Sequence, residues 1–200
     1  LAEAVEIISA LFDGGYVTRR SPFFHVDSAK LWDLPTQRVP IAVAVSGAAS
    51  CELFAPLADD LVAVEPDAEL IKMWDAARGG KDTSRRIGQL PICFDADRQA
   101  AIDRAHEQFR WFGGGWKVNA ELPSTAGFAA ATQFVRPDDV ADSISCGPDV
   151  DAHIAAARPY AEAGFTHLAL VQIGGTPEHQ QPFLDYARDK LLPAMRAEFT

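Results

Sequence analysis

The distribution of apolar residues divides the chain into short strand-like runs that alternate with stretches of helical periodicity. Unbroken apolar runs at Ile41–Val45, Leu61–Val64, Ile87–Phe94 and Phe165–Ile173 predict four buried strands. A helical pattern follows each of them. Because alternating βα units require right-handed crossovers, the order predicts an α/β protein with a parallel sheet. Two architectures fit: a small doubly wound sheet, or half of a (β/α)8 barrel.

The segments between the strands complete a single predicted domain over residues 1–200. Helical patterns cover residues 1–12, 50–58, 67–77, a segment capped by Asp97, 136–142, 149–163 and 178–196, the last interrupted near Pro193. Tyr16–Pro35 is predicted to be extended. The apolar residues of the stretch at about 110–135 show neither helical nor strand periodicity, apart from a short helix predicted after Ser124. We interpret this stretch as an irregular, functional insertion.

The first predicted strand ends in Ser46–Gly47, and small helix-compatible residues follow. This order predicts a strand, a tight glycine turn and the start of a helix. Free backbone N–H groups and the positive end of the helix dipole collect at such a point. An anionic or polar ligand can therefore dock there.

Composition and charge exclude several classes of partner. The chain has 200 residues, a formal net charge of −10 and 48% hydrophobic residues. Nucleic acids and anionic membranes are excluded as partners because they require clustered Lys and Arg. No apolar run approaches the roughly 20 residues that span a bilayer, and no secretory signal is visible. We therefore expect a cytoplasmic protein. Because Leu1 opens an uncapped helical pattern, we also expect a piece of a longer protein.

The cysteines and histidines do not form a metal motif. Cys51, Cys93 and Cys146 lie far apart and outside any CxxC pair, which indicates reduced thiols. The 5 histidines show no HxxxH or HxH spacing, so no metal site is predicted. The nucleophile-elbow, Walker and GxGxxG motifs are absent as well.

A few side chains are candidates for substrate contact. Glu65 follows the second predicted strand, and active sites of parallel barrels lie at such carboxyl ends. His106 lies late on the helix after the third strand. Trp111 and Trp116 flank a run of three glycines and either close over a flat ring system or pin the loop to the core. Asp95 is interpreted as the cap of the following helix.

Several segments together resemble a known family. They are VPIAVAVSG, LADDLVAVEPDAEL, IGQLPICFD, CGPDVDAH, AGFTHLALVQIGG and FLDYARDKLLPAMR. In this order they resemble the luciferase-like superfamily, and within it the coenzyme F420-dependent oxidoreductases related to F420-dependent glucose-6-phosphate dehydrogenase. The resemblance extends over essentially the whole chain. It implies the C-terminal half of a (β/α)8 TIM barrel, with strands five to eight.

The resemblance also implies roles for residues. Ala44, Val45, Ser46 and Gly47 match the family's Ala-Ala-Gly-Gly segment along the cofactor, with Ser46 in place of a glycine. The family's catalytic aspartate, histidine, tryptophan and glutamate belong to the first four strands, so no catalytic residue is predicted in this sequence. Asp67 stands where the sugar-phosphate dehydrogenases carry a phosphate-binding lysine. This exchange predicts a substrate other than a sugar phosphate.

The resulting functional prediction is an F420-dependent oxidoreductase that transfers a hydride between an organic substrate and C5 of the deazaflavin. The 200 residues alone are expected to be inactive. One alternative keeps the fold but uses FMN in a monooxygenase-like reaction. Another is a non-catalytic half-barrel that serves as an assembly module. The predicted partners are a small-molecule substrate and, in the intact protein, a second copy in a homodimer.

Overall fold

The computed structural model describes residues 1–80, 83–174 and 176–199, except for the side chain of Trp116. The chain forms two compact units, which are described separately. Unit 1 comprises Leu1–Ala63 and Asp67–Ile87, and unit 2 comprises Val64–Pro66 and Gly88–Thr200. Each unit is therefore assembled from two separate stretches of sequence.

Unit 1 begins with a helix and a β-hairpin. Helix α1 (Ala2–Phe12) confirms the first helical pattern and buries Val5 and Ile7. Strands β1 (Val17–Arg20) and β2 (His25–Ala29) then pair antiparallel, which confirms the predicted extended stretch.

Two βα pairs complete unit 1. They are β3 (Ala42–Ala44), α2 (Ala48–Phe54), β4 (Asp60–Ala63) and α3 (Ala68–Ala77). Strands β3 and β4 are parallel, with Val43 opposite Leu61. The prediction that the second helix reaches residue 58 was wrong. Helix α2 ends at Phe54, because Pro56 has no backbone N–H with which to continue the helical hydrogen bonds.

Trp74 of α3 is part of the core of unit 1. The Trp74 side chain is fully buried, as are Leu61 of β4 and Cys51 of α2. The indole Nε1–H donates a hydrogen bond to Ser84 Oγ at 3.1 Å. Asp67 caps α3 by accepting hydrogen bonds from the N–H groups of residues 69 and 70.

Strand β5 (Arg86–Cys93) begins in unit 1 and continues into unit 2. The remaining elements of unit 2 follow in chain order: α4 (Arg98–Phe109), a 3-10 helix (Arg110–Gly114), α5 (Gly115–Asn119), α6 (Thr125–Ala131), α7 (Pro137–Ser143), β6 (Ser145–Cys146), α8 (Val150–Ala163), β7 (His167–Gln172), α9 (Pro177–Tyr186), a π-helical turn (Ala187–Leu191) and α10 (Leu192–Phe199). The helix predicted after Ser124 is confirmed as α6. The break predicted near Pro193 is confirmed as the π-helical turn, which ends two residues before this proline.

Strand β5 is the centre of unit 2. It pairs in parallel with β6, where Cys93 lies opposite Cys146, and it also pairs with β7. The prediction of four strands in the sheet missed β6, because two residues are too short to show a period.

Both faces of β5 are buried, as its apolar run predicted. Leu90 and Ile92 pack in a cluster with residues of α8, α9 and α10, including Tyr160. Cys93 points into a second cluster that contains Ile173 and residues of α4 and α7. Successive side chains of a strand alternate between its faces, so one strand contributes to both clusters.

Candidate functional site

Unit 2 contains a cavity of about 1070 Å³. Its lining is mostly apolar and aromatic. The walls include Leu90, Pro91, Phe109, Trp111, Phe112, Phe128, Ile144, Cys146, Ala152, Ala155 and Ala156, together with the segment Val64–Pro66. A concave, largely apolar cavity with a few polar groups is the usual form of a small-molecule site.

Tyr160 of α8 holds the segment Val64–Pro66 in the cavity wall. Its hydroxyl lies 2.7 Å from the Val64 carbonyl oxygen and 3.0 Å from the Gln89 carbonyl oxygen, so it donates a hydrogen bond shared between them. Burial, assisted by the charge of Glu65, raises the pKa of Tyr160 to about 12. The hydroxyl therefore stays protonated and keeps its role as a donor near neutral pH.

Glu65 is placed at the cavity by this segment and by Gly115. A Cβ atom on Gly115 would lie 3.6 Å from Glu65 Oε1, so the carboxylate approaches the start of α5. Gly115 has φ +70°, a conformation that favours glycine. The third glycine of the run thus lets α5 begin beside the Glu65 side chain.

An aromatic cluster forms one wall of the cavity, with Trp111 at its centre. The Trp111 ring centroid lies 4.7 Å from that of Phe109 and 6.4 Å from that of Phe128, the latter edge to face. Phe112 also meets Trp111 edge to face. Such ring pairs stabilise a fixed arrangement beyond the area that they bury. The insertion therefore presents an ordered apolar surface to the cavity.

The predicted substrate residues are placed differently. Glu65 and Trp111 both line the cavity, so the structure brings these two together. The His106 Nε2 atom instead forms a hydrogen bond with the Val135 carbonyl oxygen at 2.8 Å. The side chain of Trp116 lies outside the described part of the structure. Substrate contact by any of the four remains a prediction.

The predicted cofactor turn, Ala44–Gly47, lies in unit 1 after β3. The backbone N–H groups of Ser46 and Gly47 donate to Ser50 Oγ at 3.1 and 3.2 Å. The predicted order of strand, short glycine turn and helix start is confirmed, since three residues separate β3 from α2 and Gly47 is the cap residue of α2. Gly47 has φ 175°, which is extended backbone. A Cβ atom added at Gly47 would meet nothing within 4 Å. The turn therefore has open space beside Gly47.

The sequence offered both Asp95 and Asp97 as the cap of the helix after β5; Asp97 is confirmed and Asp95 was wrong. Asp97 is the cap, because its side chain accepts a hydrogen bond from the Gln99 N–H at 2.8 Å. Asp95 instead accepts a hydrogen bond from Arg104 Nη1 at 2.9 Å, and this contact holds the pKa of Asp95 below its usual value.

Arg104 joins the ends of two strands. Besides Asp95, its guanidinium donates to the Phe94 carbonyl at 2.6 Å, just after β5, and to the Ile173 carbonyl at 3.3 Å, just after β7. The arginine is buried. A buried charge with several hydrogen-bond partners fixes the strand ends relative to each other.

His153 is a fully buried histidine on α8, behind β6. Its Nε2 lies 3.0 Å from the Gly147 carbonyl oxygen and its Nδ1 lies 2.7 Å from Ser145 Oγ. A neutral ring with hydrogen on Nε2 satisfies both contacts, by donating to Gly147 and accepting from Ser145. Burial lowers the pKa of His153 below its ordinary value of 6.5, against the opposing effect of the Gly147 carbonyl.

We expect His153 to make the protein less stable as the pH falls below 6.5. Below pH 6.5 His153 is protonated in the unfolded chain but still neutral in the folded protein. The contribution of His153 to the free energy of unfolding is therefore fully present above pH 6.5 and is lost as the pH falls toward the pKa of the folded state. Each pKa unit of lowering corresponds to about 1.4 kcal/mol. Urea unfolding at several pH values should show a smaller pH slope for His153→Gln. His167→Gln, at an exposed histidine of β7, should retain the slope. An unchanged slope in the His153 variant would contradict this expectation.

The sequence reasoning missed several cavity residues, among them Tyr160, Phe128 and Ser145. Tyr160 shows only as an apolar position of a helical pattern, and its hydroxyl contacts carbonyls 96 and 71 residues away. Phe109 and Phe128 could have been found as aromatic residues that bracket the irregular stretch containing Trp111.

The described residues contain neither a candidate metal cluster nor a helix that could span a membrane. In residues 1–80, 83–174 and 176–199, His, Cys, Asp and Glu side chains nowhere gather in threes around a possible metal position. Within the same part of the chain, each helix is too short or too polar to cross a bilayer.

Comparison with solved structures defines the class of fold. An F420-dependent secondary alcohol dehydrogenase in complex with an F420-acetone adduct superposes with a TM-score of 0.76 at 19% identity, over 97% of this chain and 60% of that chain. The coenzyme F420-dependent tetrahydromethanopterin reductase from Methanopyrus kandleri gives a TM-score of 0.71 at 15% identity, over 96% and 62%. The predicted fold class, an α/β fold of the luciferase-like TIM-barrel type, is confirmed.

Sequence comparison identifies the family. The sequence model described as luciferase-like monooxygenase matches residues 1–167, so the chain belongs to the luciferase-like monooxygenase family. The F420-dependent glucose-6-phosphate dehydrogenase of Nakamurella multipartita is 29% identical over 215 residues, covering 98% of this chain. The F420-dependent hydroxymycolic acid dehydrogenase of Mycobacterium tuberculosis is 26% identical over 205 residues, also covering 98%. The chain spans 60% of the first relative and 54% of the second.

Proposed function

We propose that this chain forms part of a coenzyme F420-dependent oxidoreductase that transfers a hydride between an organic substrate and the deazaflavin. The observation that carries the proposal is the similarity over 98% of the chain to relatives named as F420-dependent dehydrogenases. A cavity of about 1070 Å³ in unit 2, suited to an organic molecule, is compatible with it.

The residues Ala44–Gly47 would hold the coenzyme. Ala44 and Ser46 are exposed, and the space beside Gly47 is open, so a large planar group can approach the backbone there. Small side chains suit such an approach. When bound, the coenzyme supplies hydride acceptance or donation at C5. The protein contributes binding and orientation, and no catalytic residue is proposed within this chain.

We propose that the substrate is not a sugar phosphate, although several relatives are named for glucose 6-phosphate. Asp67 places a carboxylate at the position where the resemblance implies a phosphate-binding lysine, and a carboxylate repels phosphate. Both backbone contacts of Asp67 serve to cap α3, so its position is fixed by the fold.

A titration of the full-length protein tests the cofactor. Coenzyme F420 and FMN are added separately, and the absorbance and fluorescence of each cofactor are followed. Saturable binding of F420, with weaker or absent binding of FMN, supports the proposal. Preferential binding of FMN would favour the monooxygenase-like alternative, which the family's description makes the natural second candidate. Failure to bind either cofactor would favour a non-catalytic module.

The position of the cofactor is tested with Gly47→Leu. The extended backbone and the open space at Gly47 accept a side chain without strain, so the variant should fold normally. The added side chain fills the proposed binding space, and we expect the Kd for F420 to rise at least roughly tenfold. Gly15→Leu is the matched control, because a Cβ atom at Gly15 likewise meets nothing within 4 Å. Equal affinity of the two variants would refute the placement at Gly47.

Two further parts of the proposal concern the intact protein. The family resemblance supports a homodimer, which light scattering of the full-length protein would detect as a doubled mass. The three dispersed cysteines, all unpaired and buried, agree with a location in the cytoplasm. Fractionation of cells that express the full-length protein would test that location.

A further inference from the structure

Ser145 of β6 combines a place in the cavity wall of unit 2 with a short contact to a histidine. The residue is partly exposed and lines the cavity. Its Oγ atom lies 2.7 Å from Nδ1 of His153, which is fully buried. A serine hydroxyl at this distance from an unprotonated imidazole nitrogen can give up its proton while its oxygen attacks a carbonyl carbon.

The second ring nitrogen of His153 fixes the tautomer that this chemistry requires. Nε2 lies 3.0 Å from the Gly147 carbonyl oxygen. Because a carbonyl oxygen only accepts, we assign the hydrogen to Nε2, which leaves the lone pair of Nδ1 for Ser145. The Gly147 carbonyl and the charge of Asp149 both favour the protonated ring, against the lowering of the His153 pKa by burial. Both groups would therefore stabilise the imidazolium that forms when Ser145 loses its proton. A nucleophile, a base and a group that orients the base are the parts that serine hydrolases use.

Two other contacts between a hydroxyl and an imidazole lie elsewhere in unit 2. Thr166 Oγ1 lies 2.9 Å from His167 Nδ1, and Thr176 Oγ1 lies 3.0 Å from His179 Nδ1. Both threonines are exposed, and neither is among the described residues that line the cavity. Of these three contacts, the one at Ser145 is therefore the one that a molecule in the cavity can reach.

The thiol next to Ser145 is not suited to the role of nucleophile. Cys146 also lines the cavity, but burial raises the pKa of its thiol to about 11. The reactive form of cysteine is the thiolate, so nearly all of Cys146 is unreactive at neutral pH. The serine needs no such ionisation beforehand, because His153 takes its proton during the attack.

We infer that Ser145 and His153 form a nucleophile–base pair that cleaves uncharged esters with an aromatic leaving group. The rings of Phe109, Trp111 and Phe128 line the same cavity and offer flat apolar faces to such a group. This activity is separate from the proposed hydride transfer and requires no coenzyme.

The ester is cleaved in two steps. In the first, Ser145 Oγ forms a bond to the acyl carbon while its proton passes to His153 Nδ1. The bond between the acyl carbon and the leaving oxygen breaks, and that oxygen takes the proton and departs as a phenol. In the second, water attacks the acyl carbon and gives a proton to Nδ1, which returns it to Ser145 Oγ as the acyl–serine bond breaks. The products are a phenol and a carboxylic acid.

Covalent labelling of the full-length protein tests the nucleophile. Phenylmethanesulfonyl fluoride transfers its sulfonyl group to a reactive serine oxygen, with loss of fluoride and a proton, and peptide mass spectrometry locates the label. We expect the label on Ser145 of the folded protein and none when the reaction is run in urea. Ser143 is the internal comparison, because its hydroxyl donates to the Asp139 carbonyl instead of an imidazole. A label on Ser143 in preference to Ser145, or on neither, would overturn the inference.

Hydrolysis of 4-nitrophenyl acetate tests the pair through variants of the full-length protein. Ser145→Ala removes the nucleophile, and His153→Gln removes the base but leaves the Ser145 hydroxyl. We expect each change to lower the rate, corrected for the uncatalysed reaction, at least roughly hundredfold. Thr176→Val is the matched control, because it removes a contact between a hydroxyl and an imidazole outside the cavity, and it should retain the rate.

Circular dichroism verifies that each variant is folded. If His153→Gln does not fold, Ser145→Ala and the sulfonyl label still decide the question. An unchanged rate of ester hydrolysis in Ser145→Ala, or in folded His153→Gln, would overturn the inference. Because neither assay contains F420, these outcomes are independent of the proposed function.

Discussion

Replacement of Trp74 by alanine is expected to lower the free energy of unfolding by about 3–5 kcal/mol. The Trp74 side chain is fully buried, as are the side chains of Leu61 and Cys51 in the same unit. Its removal leaves a large cavity and takes the partner from the Ser84 hydroxyl, which lies 3.1 Å from the indole nitrogen. Urea unfolding followed by far-ultraviolet circular dichroism is the appropriate measurement, because it does not depend on tryptophan fluorescence.

Two controls separate the volume of Trp74 from its hydrogen bond. Ser84→Ala removes the acceptor and should cost only about 1–3 kcal/mol, for the unsatisfied indole N–H. Trp74→Phe retains much of the apolar volume and should fall between the two. A loss below about 1 kcal/mol for the alanine variant would show that this core collapses around the gap or is not closely packed.

Replacement of Arg104 by methionine is expected to cost about 3 kcal/mol, the lower end of the usual effect for a buried ion pair, because Arg104 is buried and Asp95 is partly exposed. The change leaves Asp95 without its cation and the carbonyls of Phe94 and Ile173 without a donor. Methionine retains much of the apolar volume, so the loss should reflect the polar contacts rather than a gap. Urea unfolding by circular dichroism again measures the effect.

Arg98→Met provides the matched control, because Arg98 lies on the same helix but is exposed. Its effect should be within about 0.5 kcal/mol. The double variant Arg104→Met, Asp95→Asn should recover part of the loss, because it removes the uncompensated carboxylate. Equal stability of the Arg104 and Arg98 variants would show that the contacts between the strand ends are not a source of stability.

The sequence predicted the elements whose signals are local. The cap of α4 at Asp97 and the capping contacts of Asp67 each depend on residues two or three positions away. Strand β5 was evident because both of its faces are buried, which makes its apolar run continuous. Strand β6 was missed because its two residues are defined by their partner strand and not by a pattern of their own.

The candidate site was predictable only in part. Glu65 and Trp111 were identified from their places after a strand and within an irregular stretch, and both line the cavity. The contacts of Tyr160 and Arg104 join backbone carbonyls that lie far away in the sequence, so one sequence holds no sign of them. The role of Ser50 as acceptor for the Ser46 and Gly47 N–H groups could not be predicted either, because these hydrogen bonds depend on the conformation of the turn before α2.

The division of the chain has a consequence for how the protein can be taken apart. The chain crosses between the two units three times, after Ala63, after Pro66 and after Ile87. The third crossing lies within strand β5. A gene fragment that starts at Gly88 would omit the tripeptide bearing Glu65, and one that stops at Ile87 would sever β5. Neither unit therefore corresponds to one uninterrupted stretch of coding sequence that leaves the other unit whole. An expression fragment designed around one unit has to carry residues of the other.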